Sequence, residues 1–574
     1  MEMEYVVTSE EMRAYDTYTI EYMGVPSLVL MERAALKTVE CIMEVGKCIE
    51  ETAQKLNIQK KMRVLCVCGT GNNGGDGLCV ARLLREQDIK ADAVLIGNRQ
   101  KLTKETALQL SVLEKYGVTV GNKVPEAEYD IIVDALFGIG LSREITGEAR
   151  GAIEAVNAKA AYKIALDIPS GIDADTGKVW GHAVKADETV AIAFKKRGHC
   201  LYPGSLFAGK IRVADIGITK RSFDGREPQM YTYTDSVTNM CPHRLPYGNK
   251  GTFGKVLIVA GSSEMAGAAL LCGESAYRTG AGMVKLVIPE NIREIVQTKL
   301  PEALIQTYAS KEGITKAEET AFLQNTEWAD VIAIGPGLSV CKSGLSFLIA
   351  AAQSTKPLLI DADGLNMLAE ENRNNIETGT ELQKGMIHEI DMQNTSDSQN
   401  LWMLIRKRKN RTVLTPHMGE LARLLQKPVS EVIADETVAT QELAQKSGCI
   451  VVGKSARTHV CKAGERIFLN TAGNDKMATA GSGDVLAGII AALMAQEAKN
   501  CDHRQTNDID EAKLPDNEAC GKGQEELDSM ESAVCLGVYL HACAGDIAAN
   551  KAGKAGITAS DIIKGLGLLM QAEE

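Results

Sequence analysis

Apolar positions change rhythm twice along the chain. From Thr8 to about Glu50 they recur at three- and four-residue spacing, which predicts helices. From Arg63 short runs of Val, Ile, Leu and Ala take over, at 64–68, 93–96, 131–133, 164–166, 191–194 and 211–214. Most of them run into Gly or Asp, and helical spacing separates several, as at 78–86 and 104–116. Buried strands alternating with helices predict a parallel sheet covered by helices. Residues 219–243 are polar and carry Asp224-Gly225, Pro228 and Pro242, which reads as a linker. A second series follows at 255–260, 283–289, 331–334, 358–360, 412–414 and 450–452. Polar stretches at about 370–410 and 496–532 interrupt it. They read as mobile surface insertions, because they hold too little apolar area to offset the entropy of ordering them. The prediction is two α/β domains, 1–218 and 244–574.

Length changes this picture little. The 574 residues alone would suggest three or four domains, but the insertions account for the excess. Hydrophobic residues at 45% and charged residues at 24% exclude wholesale disorder. Aromatics reach only 4% while glycines number 53, which disfavours base-stacking platforms. With 63 basic against 75 acidic residues, the net charge of −12 makes a poor polyanion binder. No nucleic-acid partner is expected. No apolar run is read as approaching the roughly 20 residues of a membrane span, the longest being 485–495. The acidic start Met1-Glu2-Met3-Glu4 is unlike a signal peptide. A cytoplasmic chain without a membrane partner is expected. Its 15 cysteines show no C-x-x-C pair and read as reduced core thiols. Cys501-Asp502-His503 lacks partners at zinc spacing.

Candidate chemistry sits where strands end. The run 64–68 leads into Gly69-Thr70-Gly71-Asn72-Asn73-Gly74-Gly75-Asp76-Gly77 and then a helix. Glycines let a ligand approach the backbone, and a helix start offers free N–H groups to phosphate. Asn72, Asn73 and Asp76 add oxygens suited to ribose hydroxyls or a cation. Neither a dinucleotide fingerprint nor a P-loop is present. Asp134, ahead of Gly138-Ile139-Gly140-Leu141-Ser142-Arg143-Glu144, and Asp167, ahead of Ile168-Pro169-Ser170-Gly171, would gather at the same sheet rim. In the second half, Gly481-Ser482-Gly483-Asp484 opens an apolar helix. The glycines suit a phosphate, and Asp484 reads either as a helix cap or as a base aimed at a hydroxyl beside it. His417 in Thr415-Pro416-His417 reads as a ligand contact or as a cap for the next helix.

These motifs carry two resemblances. Residues 1–218 resemble the NAD(P)H-hydrate epimerase domain through Thr8-Ser9-Glu10-Glu11-Met12 and the three loops just quoted. Residues from about Asp235 onward resemble ADP/ATP-dependent NAD(P)H-hydrate dehydratases of the ribokinase-like superfamily. The matching segments are Lys250-Gly251-Thr252-Phe253-Gly254, Gly280-Ala281-Gly282, Gly335-Pro336-Gly337-Leu338, Asp361-Ala362-Asp363-Gly364-Leu365-Asn366, Thr415 to Glu420 and Asn474 to Leu486. The resemblance implies a Rossmann-like three-layer αβα domain followed by a ribokinase-like αβα domain. It implies a bifunctional enzyme that epimerises the R and S hydrates of NADH and NADPH, then dehydrates the S form with ADP or ATP.

Site roles follow from the same resemblance. Asn72, Asn73, Gly74, Gly75, Asp76 and 138–144 (Gly138, Ile139, Gly140, Leu141, Ser142, Arg143 and Glu144) would contact the hydrate in the first domain. Asn73, Asp134 and Ser170 would hold a potassium ion, and Asp167 would bind substrate and serve as acid/base. In the second, Ala268, Gly337, His417 and Asp484 would contact the hydrate. Lys454, Ser455, Ala456, Arg457, Thr458 and Gly483 would contact ADP or ATP, with Mg²⁺ across the phosphates, and Asp484 would be the base. A homo-oligomer is expected. Five positions depart from the family pattern: Ser455 and Ser339 for glycines, Met418 for a proline, and Asp475-Lys476 for Pro-Gly. A vitamin or sugar kinase fused to a non-catalytic ligand-binding domain is the alternative. The Gly-Pro-Gly-Leu and Thr-Pro-His segments disfavour it.

Overall fold

The computed structural model describes residues 3–55, 62–234, 246–377, 401–408, 411–506 and 529–570. The chain forms two compact units, Met3–Thr232 and Tyr233–Glu574.

In the first unit six strands form one sheet: β1 (Arg63–Cys68), β2 (Lys90–Leu95), β3 (Ile131–Ala135), β4 (Tyr162–Leu166), β5 (Glu188–Ile192) and β6 (Lys210–Ala214). Their order is β2-β1-β3-β4-β5-β6, and every neighbouring pair is parallel. Alternate residues feed two cores, as the pleat requires. Val64, Cys66 and Cys68 pack under helices Ser27–Lys55, Asn72–Glu86 and Lys104–Lys115, while Leu65 and Val67 pack under Gly147–Ala158. Strand order reverses between β1 and β3, so their following loops border a crevice where ligands of open α/β sheets bind.

The expected linker 219–243 needs correction over its first part. A 3₁₀ turn at Lys220–Phe223 and a strand at Met230–Tyr233 fall inside it. Phe223 is buried in the first unit's core, against the rings of Tyr5, Tyr15 and Phe194. Its apolar partners are distant in sequence, so the local polarity hid it. Residues 235–245 lie outside the described residues.

The second unit carries β7 (Lys255–Val259), β8 (Met283–Pro289), β9 (Leu304–Tyr308), β10 (Val331–Ile334), β11 (Leu358–Ile360), β12 (Thr412–Leu414), β13 (Ile450–Gly453), β14 (His459–Cys461) and β15 (Ile467–Leu469). These run in the order β9-β8-β7-β10-β11-β12-β13-β14-β15. Pairing is parallel as far as β13 and antiparallel beyond it. The reversal lies between β7 and β10. Gly335 follows β10 with φ +126°, and a Cβ there would lie 1.8 Å from the Asp361 carbonyl oxygen. Gly335→Ala should therefore cost at least about 2 kcal/mol, from backbone strain and overpacking together. A lowered unfolding midpoint of the second unit in calorimetry would show it.

Both expected insertions are shorter than their polarity suggests. Helix Asp363–Glu377 runs into the first, and helix Leu401–Lys407 returns with Leu401 and Ile405 buried. Helix Ser482–Thr506 runs into the second, with Gln496 buried and its amide donating to the Thr279 carbonyl. The remainder, 378–400 and 507–528, lies outside the described residues. The absence of a membrane-length apolar segment is also corrected. Met530–Ala552 is long and apolar enough, but 72% of that window is buried inside the protein. There it packs on helices Ser482–Thr506 and Ala559–Leu569. Every described cysteine is unbridged.

Candidate active sites

Helix Asn72–Glu86 starts at the end of β1 with Gly71 as its N-cap and no side-chain cap. Its leading N–H groups have no helical acceptor, and its positive end meets whatever lies before it. Before it lies a cavity of about 750 Å³ lined by Thr70, Asn72, Asn73, Asp76, residues 138–143 and Asp167, among others. Gly74 and Gly75 are not brought into the lining. A Cβ on Gly74 would lie 1.9 Å from the Gly69 carbonyl oxygen, and one on Gly75 would meet Met31 and Thr106 at 2.8 Å. Gly74 thus lets the helix start close against the backbone of its own loop, and Gly75 lets helices Ser27–Lys55 and Lys104–Lys115 approach. Glu144 is exposed and outside the lining.

Asp134 and Ser170 sit behind the loop. The Ser170 hydroxyl donates to Asp134 Oδ1 at 2.6 Å and its amide donates to Oδ2 at 2.8 Å. Phe137 N–H donates to the Ser170 hydroxyl oxygen at 2.8 Å, which ties the 138–144 loop to them. Burial pushes the Asp134 carboxyl up to about 6, against the pull of the Ser170 bonds. Both polar side-chain atoms of Asn73 are buried without a hydrogen-bond partner. Such orphaned atoms are costly unless a ligand completes them.

Asp167 follows β4 in the left-handed region, φ +70°. Three contacts hold it there. Ile192 N–H and the Lys196 ammonium both donate to Oδ1, and His199 Nε2 lies 2.8 Å from its carbonyl oxygen. Lys196 is fully buried and also donates to the Ile192 carbonyl at 2.7 Å. Burial pushes His199 down to about 3, so its ring is neutral. Sequence reasoning missed Lys196, His199 and the cavity-lining Asp16. One signal was present: Lys195-Lys196-Arg197 closely follows an apolar strand, and a lysine buried there needs an anion.

In the second unit Gly337 (φ +60°) lies against helix Ala266–Arg278, where its Cβ would meet Ala268 Cβ at 2.6 Å. Ala268 and Gly337 are thus one contact point across the β7/β10 reversal. Lys454 ends β13 beside His417, with its N–H donating to the Pro416 carbonyl at 2.8 Å. Its ammonium donates to Asp361 Oδ1 at 2.6 Å and stands 3.4 Å from where a Cβ on Gly483 would be. Asp484 lies in the first turn of helix Ser482–Thr506. Burial first, then the neighbouring Asp361, pushes its carboxyl up to about 6, while Lys454 pulls it down. Because the pKa is raised, the carboxylate form is lost as pH falls through about 6. A rate that needs this base should fall below that pH in a kcat/KM profile for the S hydrate.

His417 does cap a helix. Its Nδ1 accepts from Gly419 N–H at 2.9 Å and Glu420 N–H at 3.3 Å. That fixes the proton on Nε2, which lies 3.4 Å from Glu420 Oε1 on a ring 56% exposed. Glu420 returns the bond from His417 N–H at 2.8 Å, and burial pushes its carboxyl up to about 7. Three of the family departures find a place. Ser455 closes the 455–458 turn, its hydroxyl donating to the Arg457 carbonyl at 2.9 Å. Met418 is the first residue of its helix, where proline is equally at home. Ser339 sits at φ +64°, the region that favours the family's glycine.

A family described as YjeF-related protein N-terminus matches residues 27–198. One described as NAD(P)H-hydrate dehydratase matches 256–387 and 376–567. The bifunctional NAD(P)H-hydrate repair enzyme of Thermofilum pendens is 33% identical over 579 residues, covering 99% of this chain and 96% of its own. The chain belongs to the bifunctional NAD(P)H-hydrate repair enzymes. The repair enzyme of Moorella thermoacetica is 30% identical over 97% of this chain and 95% of its own. The NAD(P)H-hydrate epimerase of Oenococcus oeni is 42% identical over 213 residues, 37% of this chain and 96% of its own. Within this repair family, the YjeF-related match spans helix Asn72–Glu86, Asp134, Asp167 and Lys196. The dehydratase match spans Gly337, Asp361, His417, Lys454 and Asp484.

Proposed function

We propose that this chain repairs hydrated NADH and NADPH, epimerising the R and S hydrates in the first unit and dehydrating the S hydrate with ADP or ATP in the second. One observation carries the reading: each unit sets a glycine-rich helix start and an inward carboxylate, Asp167 or Asp484, at the carboxyl ends of parallel strands. The helix start suits phosphate and the carboxylate suits proton transfer at a hydroxyl.

In the first unit, protonation of the C6 hydroxyl breaks the C6–O bond and releases water. The ring nitrogen's lone pair then forms the C6=N bond of an iminium-like ring. Water returns to C6 from either face. Asp167 lies beside this cationic ring and handles its proton, and Asn72 and Asn73 amides receive the substrate's phosphates. The chemistry of Asn73, Asp134 and Ser170 fits a potassium ion: three oxygen donors, of which the Asn73 oxygen is otherwise orphaned. A bound ion there would supply fixed positive charge behind the loop.

In the second unit, Asp484 takes the proton of the C6 hydroxyl as its oxygen bonds to the terminal phosphorus. The bond from that phosphorus to the nucleotide's bridging oxygen breaks. Phosphate then leaves C6 with the C–O electron pair, far more readily than hydroxide would, as the ring nitrogen's lone pair forms C6=N. Loss of a proton from C5 to solvent then forms the C5=C6 bond and returns the pair to nitrogen, giving the reduced nicotinamide. Lys454 and the amides at 481–483 face the transferring charge, while His417 Nε2–H offers a donor to the hydrate. Among the described residues no group of three or more His, Cys, Asp or Glu is arranged to ligate a metal. Magnesium would arrive with the nucleotide and would neutralise phosphate charge. The substrates are small molecules, with no nucleic acid.

The test is one assay. Mixed R and S hydrate is incubated with the full chain and ADP or ATP, and reduced-nicotinamide absorbance is followed. Complete recovery is expected. Recovery that stops at the S fraction would remove the epimerase, and phosphorylation of a stable alcohol without recovery would favour a kinase.

A further inference from the structure

The cavity of the first unit is lined by four carboxylates on four elements: Asp16 on helix Ser9–Thr17, Asp76 on helix Asn72–Glu86, Glu105 on helix Lys104–Lys115, which accepts from the Ser27 hydroxyl at 3.0 Å, and Asp167 after β4. Lys196 is the buried cation among the lining residues, and it is committed to Asp167. Arg13 lies in the lining too, with its guanidinium donating to the Ile139 carbonyl at 3.3 Å, and Arg143 is exposed. His199 stands behind Asp167 and is neutral. Asp76 differs from Asp167 in one respect. It is 8% exposed, lines the cavity, and accepts no hydrogen bond from any described residue. A buried carboxylate without a donor or a cation is costly, and the neutral acid is the favoured form.

We propose that Asp76 is the proton donor that expels the C6 hydroxyl, and that Asp167, paired with Lys196, accepts the proton of the returning water. The assignment rests on the epimerase reading above. Burial and the nearby Asp167 and Asp16 push the Asp76 carboxyl well above the usual carboxylate range, in support. Two carboxyl groups whose surroundings drive their protonation apart are a general mark of paired acid and base.

The step balances as follows. The Asp76 O–H bond breaks, and its proton joins the C6 hydroxyl oxygen. The C6–O bond breaks and its electron pair leaves with water, while the ring nitrogen's lone pair forms the C6=N bond. Asp76 is left as a carboxylate beside the cationic ring. Water then bonds to C6, the C=N pair returns to nitrogen, and the surplus proton passes to Asp167. Solvent exchange carries that proton from Asp167 and reprotonates Asp76. Nothing is consumed, and the reverse direction uses the same two groups in opposite roles.

The full chain tests this with R hydrate and saturating nucleotide, because its own dehydratase reports each S molecule formed. Asp76→Asn should lower kcat of the R phase by about 10²–10⁴-fold. KM for the R hydrate should change only a few-fold, and recovery from pure S hydrate should stay at the wild-type rate. Asp76→Glu should restore part of kcat, which a folding defect would not allow. A raised KM with unchanged kcat in Asp76→Asn would make Asp76 a binding residue and overturn the proposal. So would loss of the R phase in Asp16→Asn with Asp76→Asn active. A wild-type R phase no faster than buffer would instead remove the epimerase reading beneath it.

Discussion

Asp484→Asn is expected to abolish nucleotide-driven recovery of reduced nicotinamide from S hydrate, by about 10²–10⁴-fold, the usual worth of a positioned general base. Asparagine keeps the volume at the first turn of helix Ser482–Thr506. What it removes is the basic oxygen. At neutral pH most of Asp484 is ionised, since its carboxyl titrates near 6, so the wild-type base is present without prior deprotonation. Interconversion of R and S hydrate by the same chain, followed by chromatography without nucleotide, should be unchanged. Recovery at the wild-type rate in this variant would reduce Asp484 to a helix cap.

Lys196→Met carries the second large effect, and it is twofold. The lysine is fully buried and the Asp167 side chain is 11% exposed, so the methionine leaves a carboxylate in the interior without its cation. Breaking a buried pair from one side costs about 3–5 kcal/mol. For a unit of this size that lowers the unfolding midpoint by roughly 6–20 °C. The second effect is on activity. The Lys196 ammonium and Ile192 N–H together hold Asp167 Oδ1 in place, so loss of the ammonium should lower epimerase kcat. Asp167→Asn with Lys196→Met should regain stability relative to Lys196→Met alone, because neither charge is then left unpaired, while epimerase activity stays lost. An unchanged midpoint and an unchanged epimerase rate in Lys196→Met would remove the pair from both roles.

Some of this was readable in the chain and some was not. The two α/β series were legible because strands buried on both faces are near-continuous apolar runs, as at Val64 to Cys68. The loops were legible because glycine, asparagine and aspartate cluster where strands end. The boundaries were less so. Phe223 looked like linker until Tyr5, Tyr15 and Phe194 closed around it. Leu401 and Ile405 looked like an insertion until they were buried in the second unit. Gly74 and Gly75 stand outside the cavity lining, and the close approach of other protein atoms excludes a side chain at either. Local composition cannot tell a glycine that admits a ligand from one that admits a neighbouring side chain.

The linear order of residues specifies the layer architecture, the family and the loops that carry the chemistry, because periodicity and motif spacing are local properties. Protonation is not local. Lys196 lies 29 positions beyond Asp167, Asp361 lies 93 before Lys454, and Asp16 and Asp76 belong to different helices. Which carboxylate keeps its charge, which holds a proton and which lysine is spent on an ion pair follow from burial and from distances that arise only on folding.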